Sequence, residues 1–149
     1  LDLTYEHCLF SIYKAKNKNQ KSYTIMDGPF YTLLKWNKNL FGLYSVKDSR
    51  IFISKNFNRV HKSFKSLSVK KENQVKEKIL NGFLKFYPNF KNNFKFVKNL
   101  YTIRTIIKNK KDARVCIVKN NDNFINILSG KIDHIFYAYK EVLKCIKTY

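Results

Sequence analysis

Apolar positions recur at helical spacing in two stretches of the chain. Val75, Ile79 and Phe83 fall four apart, with Leu80 and Leu84 beside them and Lys71, Lys78 and Lys85 elsewhere. That spacing predicts a helix over 69–87, stopped by Pro88. From Ile132 onward, Ile135, Phe136, Tyr139, Val142, Leu143 and Ile146 predict a C-terminal helix. Period-two patterns predict strands. Residues 114–118 and 123–128 flank Asn120-Asn121-Asp122, whose side chains tolerate positive φ, and this is the best hairpin signal in the chain. Cys8, Phe10 and Ile12 alternate within 6–13, which reads as a short strand or the end of an apolar helix. Another strand centres on 49–53. Gly28-Pro29 marks a turn, after which 31–36 reads as the start of a short helix. Residues 14–22 are chiefly Lys, Asn and Gln and read as a solvated loop that can lie against phosphates. Residues 54–71 interleave cations with Phe57, Val60, Phe64 and Leu67, and 100–107 mixes apolar with polar positions. The expected fold class is α+β: a small sheet around a C-terminal β-hairpin, with flanking helices. No repeat and no clear linker interrupts it, so 1–149 reads as a single domain.

Charge narrows the class of partner. The 149 residues carry 30 Lys+Arg against 10 Asp+Glu, a formal net charge of +20. Such a surplus repels itself unless a polyanion neutralises it, and nucleic acid is the first candidate. An anionic membrane surface is the second. Lys, Asn, Phe and Tyr have AT-rich codons, so part of the lysine excess reflects codon usage. That bias does not explain the scarcity of acids. The chain starts at Leu1, which fits a processed or engineered chain as well as an organellar gene that initiates at a leucine codon. No secretory signal pattern and no long uncharged apolar run is seen.

Catalytic patterns are missing. Gly28, Gly42, Gly82 and Gly130 are isolated, so no glycine-rich phosphate loop occurs. His7, His61 and His134 do not pair at ligand spacing and read as surface or phosphate-contacting side chains. Cys8, Cys116 and Cys145 are odd in number and widely spaced, which suits buried thiols better than a metal finger or a disulfide framework. The acids are scattered. Neither a cofactor, a metal nor an enzymatic activity is expected. Phe57, Phe64, Phe83, Phe86 and Phe94 follow helical or alternating periods and read as core.

Two segments together resemble a known family. Thr24-Ile25-Met26-Asp27-Gly28-Pro29-Phe30 precedes Leu33-Leu34-Lys35, and Arg104-Thr105-Ile106-Ile107 precedes 114–118, Asn120-Asn121, Phe124-Ile125-Asn126-Ile127 and Asp133-His134. In this order they resemble the universal S-nineteen family of the small ribosomal subunit head. The likeness covers 22–36 and 99–136. Asp27 and Met26 stand where that family has lysine and tryptophan, and 37–98 would be a large insertion, helical in part.

The resemblance implies a divergent mitochondrial member: a structural protein that binds rRNA in the subunit head, beside proteins of S-thirteen and S-fourteen type. It implies RNA contacts from Lys35, Lys38, Arg104, Thr105 and His134, with Lys108, Lys110, Lys111 and Arg114 as a cationic run before the hairpin. Arg104 would anchor a phosphate or stack on a base. Two other readings use the same lysines: a pleckstrin-like module on a lipid surface, and an organellar DNA-binding or intron-endonuclease fragment.

Overall fold

A computed structural model describes residues 2–26, 28, 30–107, 115–121, 124–129 and 132–147. The fold is α+β, and the chain divides into two compact units: Thr4–Thr105, and Leu1–Leu3 with Ile106–Tyr149. The larger unit holds six strands in one sheet: β1 (Leu3–Ala15), β2 (Tyr23–Thr24), β3 (Tyr31–Lys35), β4 (Leu40–Ser45), β5 (Arg50–Ser54) and β6 (Phe94–Ile107). Between β5 and β6 come α1 (Phe57–Lys65), α2 (Val69–Leu84) and the single turn α3 (Phe90–Asn93). The order runs β2-β3-β4-β1, with β5 and β6 also pairing with β1.

β1 is the centre of this sheet. β4 pairs with its second half (Ser11↔Leu43 to Lys14↔Leu40) and β5 with its first (Tyr5↔Ser54 to Cys8↔Arg50). The Leu9 N–H donates to Ser49 O at 2.9 Å and the Ala15 N–H to Asn39 O at 2.8 Å. Both residues are odd-numbered, so β4 and β5 follow each other along one edge of β1. The Lys16 N–H donates to Asn93 O at 2.9 Å, which puts β6 on the opposite edge. The excursion between β4 and β5 is closed by two buried serines: the Ser45 N–H donates to Ser49 Oγ and the Asp48 N–H to Ser45 Oγ.

With neighbours on both edges and side chains buried on both faces, β1 is covered continuously from Glu6 to Cys8 and beyond, not on alternate residues. Leu9 and Tyr13 join Leu33, Phe41 and Leu43 in the core beneath Val75, Ile79, Leu80 and Phe83 of α2. Phe90 and Phe94 close this layer at one end, their rings stacked at 4.7 Å. Ser68 caps α2 by accepting from the Lys71 N–H, and Asn56 caps α1 by accepting from the Arg59 N–H.

The structure corrects several local expectations. Residues 31–35 are a strand, because Tyr31 and Leu33 alternate inward and pair with Ser45 and Leu43 of β4. A helix there would turn Leu33 off the core. Residues 37–98, expected as an insertion, supply β4, β5, all three helices and Phe41, Leu43, Ile79, Phe83 and Phe90 of the core. His7 is not at the surface but fully buried. Phe83 and Phe94 are core as expected, Phe64 is half-buried, and Phe57 and Phe86 are exposed.

In the smaller unit, β7 (Cys116–Asn121) and β8 (Phe124–Ser129) form the expected hairpin. Their ladder continues to Asn121↔Phe124, so Asn120 and Asn121 belong to the strand rather than the turn. A 3-10 turn (Ile132–His134) leads into α4 (Ile135–Lys147), which packs on β7 and β8. The three cysteines are free thiols; Cys8 is buried, and Cys116 and Cys145 are half-buried.

Two contacts in the larger unit make testable demands. A Cβ on Gly82 would stand 1.8 Å from the Tyr31 hydroxyl. That hydroxyl donates to Asp48 Oδ2 at 2.5 Å, and Asp48 Oδ1 holds Lys78 Nζ at 3.1 Å. Gly82→Ala must push α2 off β3 or break this chain of contacts. We expect a loss of about 3 kcal/mol, read as a drop in the denaturant midpoint with unchanged m; a neutral variant would refute the packing.

The second contact is His7. Its ring stacks on Phe64 at 3.8 Å between centroids, and Nδ1 lies 2.9 Å from Ser63 Oγ. Ser63 spends its only hydroxyl proton on Val60 O at 2.6 Å, so the network assigns the proton of the ring to Nδ1. Nε2 is then a buried lone pair without a partner. Burial pushes the His7 pKa down from 6.5 to about 4. The unfolded chain therefore binds the extra proton first. The contribution of His7 is complete above pH 6.5 and fades as pH falls towards 4. Melting temperatures measured across that window should fall in the wild type, and His7→Phe should flatten this part of the profile.

Candidate nucleic-acid interface

The net charge is not spread evenly. Thr4–Thr105 carries 21 of the 30 basic side chains and 5 of the 10 acids, so the larger unit holds +16 of the +20. Three segments of it meet at one end of the sheet: the loop after β1, the β3–β4 turn, and α3 with the start of β6. Hydrogen bonds join them. The Ala15 N–H reaches Asn39 O and the Lys16 N–H reaches Asn93 O. The Lys35 N–H donates to Ser22 Oγ at 3.0 Å, and Lys16 Nζ donates to Lys91 O at 3.2 Å.

The end of β1 and the loop after it contribute Lys14, Lys16, Lys18 and Lys21, the end of β3 and the turn after it Lys35 and Lys38, and α3 with the start of β6 Lys91 and Lys95. All eight are exposed. No Asp or Glu occurs in 14–22, 31–40 or 89–95. Long lysines without local carboxylates on a fixed backbone form a diffuse cationic rim, suited to phosphates rather than to one small anion.

Lys35 and Lys38, expected from the sequence to contact RNA, are brought into this rim. The reading of 14–22 as a loop able to lie against phosphates agrees with its position. Lys91 and Lys95 were missed. Nothing local marks them; they reach the rim only because β6 begins beside the end of β1.

Arg104 sits elsewhere. It faces Glu6, eight residues before Lys14 along β1, and at the rise of a strand that is roughly 26 Å from the rim. Its Nε donates to Glu6 Oε2 at 2.8 Å and its second terminal nitrogen also bonds that oxygen. Its remaining donors reach the Tyr44 hydroxyl at 2.7 Å and Val46 O at 3.1 Å. Arg50 adds a contact to Glu6 Oε1 at 3.4 Å. Glu6 is only 3% exposed. Burial by itself would lower the Arg104 pKa, but the Glu6 hydrogen bonds together with the charge interactions with Tyr44, Glu6 and Cys8 raise it. Burial, with Cys8 close by, pushes the Tyr44 hydroxyl up to about 12, so it stays protonated. Arg104 thus ties β6 to β1 and β4 inside the fold.

Thr105 is exposed near the end of β6. His134 belongs to the smaller unit, half-buried, with Nδ1 3.2 Å from Ser129 Oγ. Lys108, Lys110, Lys111 and Arg114 lie outside the described residues. Among the described residues, no group of three or more His, Cys, Asp or Glu is placed to hold a metal ion. No helix among them is long and apolar enough to cross a membrane. Comparison with family models, curated proteins and solved structures returns no match.

The two kinds of cation separate by experiment. Lys35→Ala with Lys38→Ala should lower the melting temperature only slightly, through loss of the Lys35 ammonium from the Phe41 ring at 5.9 Å. It should weaken RNA binding and lower the slope of log affinity against log salt by about 1.5. Arg104→Met leaves a buried carboxylate short of its partner and should cost about 3 kcal/mol of stability, with the salt slope unchanged at a temperature where it is folded. The opposite pattern would make Arg104 the phosphate anchor.

Proposed function

We propose that this protein is a structural, RNA-binding component of a ribosomal particle, and that its lysine rim is the surface that holds rRNA. The observation that carries this reading is the meeting of eight exposed lysines from three acid-free segments at one end of a rigid sheet. A protein that holds folded RNA needs phosphate contacts along an extended surface and neither a cleft nor a cofactor. The rim offers such a surface.

The finer placement, in the head of the mitochondrial small subunit beside proteins of S-thirteen and S-fourteen type, is supported by the ordered S-nineteen-like segments and the AT-rich composition. One of those segments takes a different form here. Gly28, at φ +107°, lies in the connection between strands β2 and β3, not ahead of a helix. The RNA reading therefore leans on charge geometry, and the subunit placement on the order of the later segments.

Sedimentation tests both levels. Organelle lysate in a high-magnesium gradient should carry the protein with the small ribosomal subunit, resistant to moderate salt, when fractions are read by mass spectrometry. Co-migration with the large subunit would keep the RNA reading and overturn the placement. Migration with membranes, or free at the top of the gradient, would overturn both.

A further inference from the structure

We infer that Trp36 is a stacking platform for an unpaired RNA base, set at the lysine rim. This rests on the RNA reading above and adds which part of the RNA the rim takes. Trp36 is the only tryptophan of the chain and stands 54% exposed in the β3–β4 turn, between Lys35 and Lys38. Lys35 alternates to the other face, over the Phe41 ring at 5.9 Å. An apolar ring left open to water, with Lys14 on its own face and Lys38 in its turn, invites a ligand that is anionic and aromatic at once. Nucleic acid with a free base meets both conditions.

The ring is held in position. The Trp36 N–H donates to Leu40 O at 2.8 Å. Asn37 Oδ1 closes the turn by accepting from the Asn39 and Leu40 N–H groups at 3.1 and 3.0 Å. The indole rests against β4 at Gly42, where a Cβ would stand 2.9 Å from Nε1 and 3.2 Å from Cε2. Glycine at 42 leaves the space the indole occupies. One side of the ring is thus seated on the strand while half of its surface stays open.

The surroundings fit a strand of RNA. Trp36 bonds across to Leu40, and Leu40 pairs with Lys14 of β1, so Trp36 and Lys14 share one row and one face of the sheet. Two strand spacings separate them by about 10 Å. That face is opposite the one that carries Tyr13, Leu33 and Phe41 into the core under α2. Lys38 lies in the turn itself. Phe96 of β6, on the α2 face beside Tyr13, differs, because Lys76 Nζ already covers its ring at 4.8 Å. Duplex RNA keeps its bases stacked on each other, so only an unpaired base can lie on the indole.

Trp36 fluorescence reports on this ring alone, and the intact chain is titrated with a single-stranded uridine oligomer and with duplex RNA of equal length. We expect saturable quenching by the single strand and little by the duplex. By anisotropy of labelled oligomer, Trp36→Ala should weaken single-strand binding roughly tenfold, with the salt slope unchanged, while Trp36→Phe keeps most of the affinity. Lys14→Ala with Lys38→Ala should lower the salt slope instead. Wild-type affinity in Trp36→Ala, or equal quenching by duplex, overturns the stacking role. If the lysine pair still weakens binding in that case, the RNA reading stands. Binding of neither RNA overturns both, as does a Trp36 emission shift on phosphatidylserine vesicles with no response to RNA.

Discussion

The apolar layer between α2 and the sheet is the contact on which the larger unit depends. A chain segment of +16 repels itself, and burial of Val75, Ile79 and Phe83 against Leu9, Leu33, Phe41 and Leu43 is the large favourable term that opposes this. The layer has little tolerance. α2 approaches β3 so closely that the Tyr31 hydroxyl occupies the space beside Gly82. The same hydroxyl reaches Asp48, which in turn holds Lys78 of α2. Packing and polar contacts therefore fix one distance between helix and sheet. The loops at the sheet end inherit that rigidity.

β1 carries a second layer of constraint, because both of its faces are buried. Polar groups placed there must be satisfied. Ser11 Oγ donates to Asn99 Oδ1, and Asn99 passes a hydrogen bond to Glu72. Glu6 is satisfied by Arg104 and Arg50. His7 is the exception, with one nitrogen unpaired, and burial holds it neutral. A buried carboxylate with two arginines is worth less for net stability than for fixing register. Here it fixes where the end of β6 lies against the start of β1, and hence where the beginning of β6, with Lys91 and Lys95, meets the loop after β1.

Some of this was legible in the residues and some was not. α2, the C-terminal hairpin and α4 declare themselves because their signals are local: a stripe at spacing four, two short strands around an Asn-rich turn, a second stripe. β3 and β4 were not legible. Tyr31 to Trp36 is a short apolar run that fits either period, and only the pairing with β4 decides it. The interface divides the same way. The loop lysines fall in 14–22, a stretch the sequence marks as solvated, whereas Lys35 and Lys38 come from the resemblance and not from any turn the residues mark. Arg104 looks like any exposed cation until Glu6, 98 residues away, is seen to hold it.

The acids explain why the lysine rim stays uncompensated. Within the larger unit, each acid among the described residues is used by the fold. Glu6 holds Arg104 and Arg50, Asp48 joins Tyr31 to Lys78, Glu72 accepts from Asn99, and Glu77 meets Lys76. The carboxylates are few and sit at structural joints, so the lysines beyond Ala15, in the β3–β4 turn and on α3 have none in their own segments. An RNA that binds this rim supplies the missing anions and is held by the native arrangement of three loops, which the unfolded chain does not have. Binding then adds to folding stability through mass action. In this architecture the partner that neutralises the rim also completes the balance of forces that keeps the sheet end together.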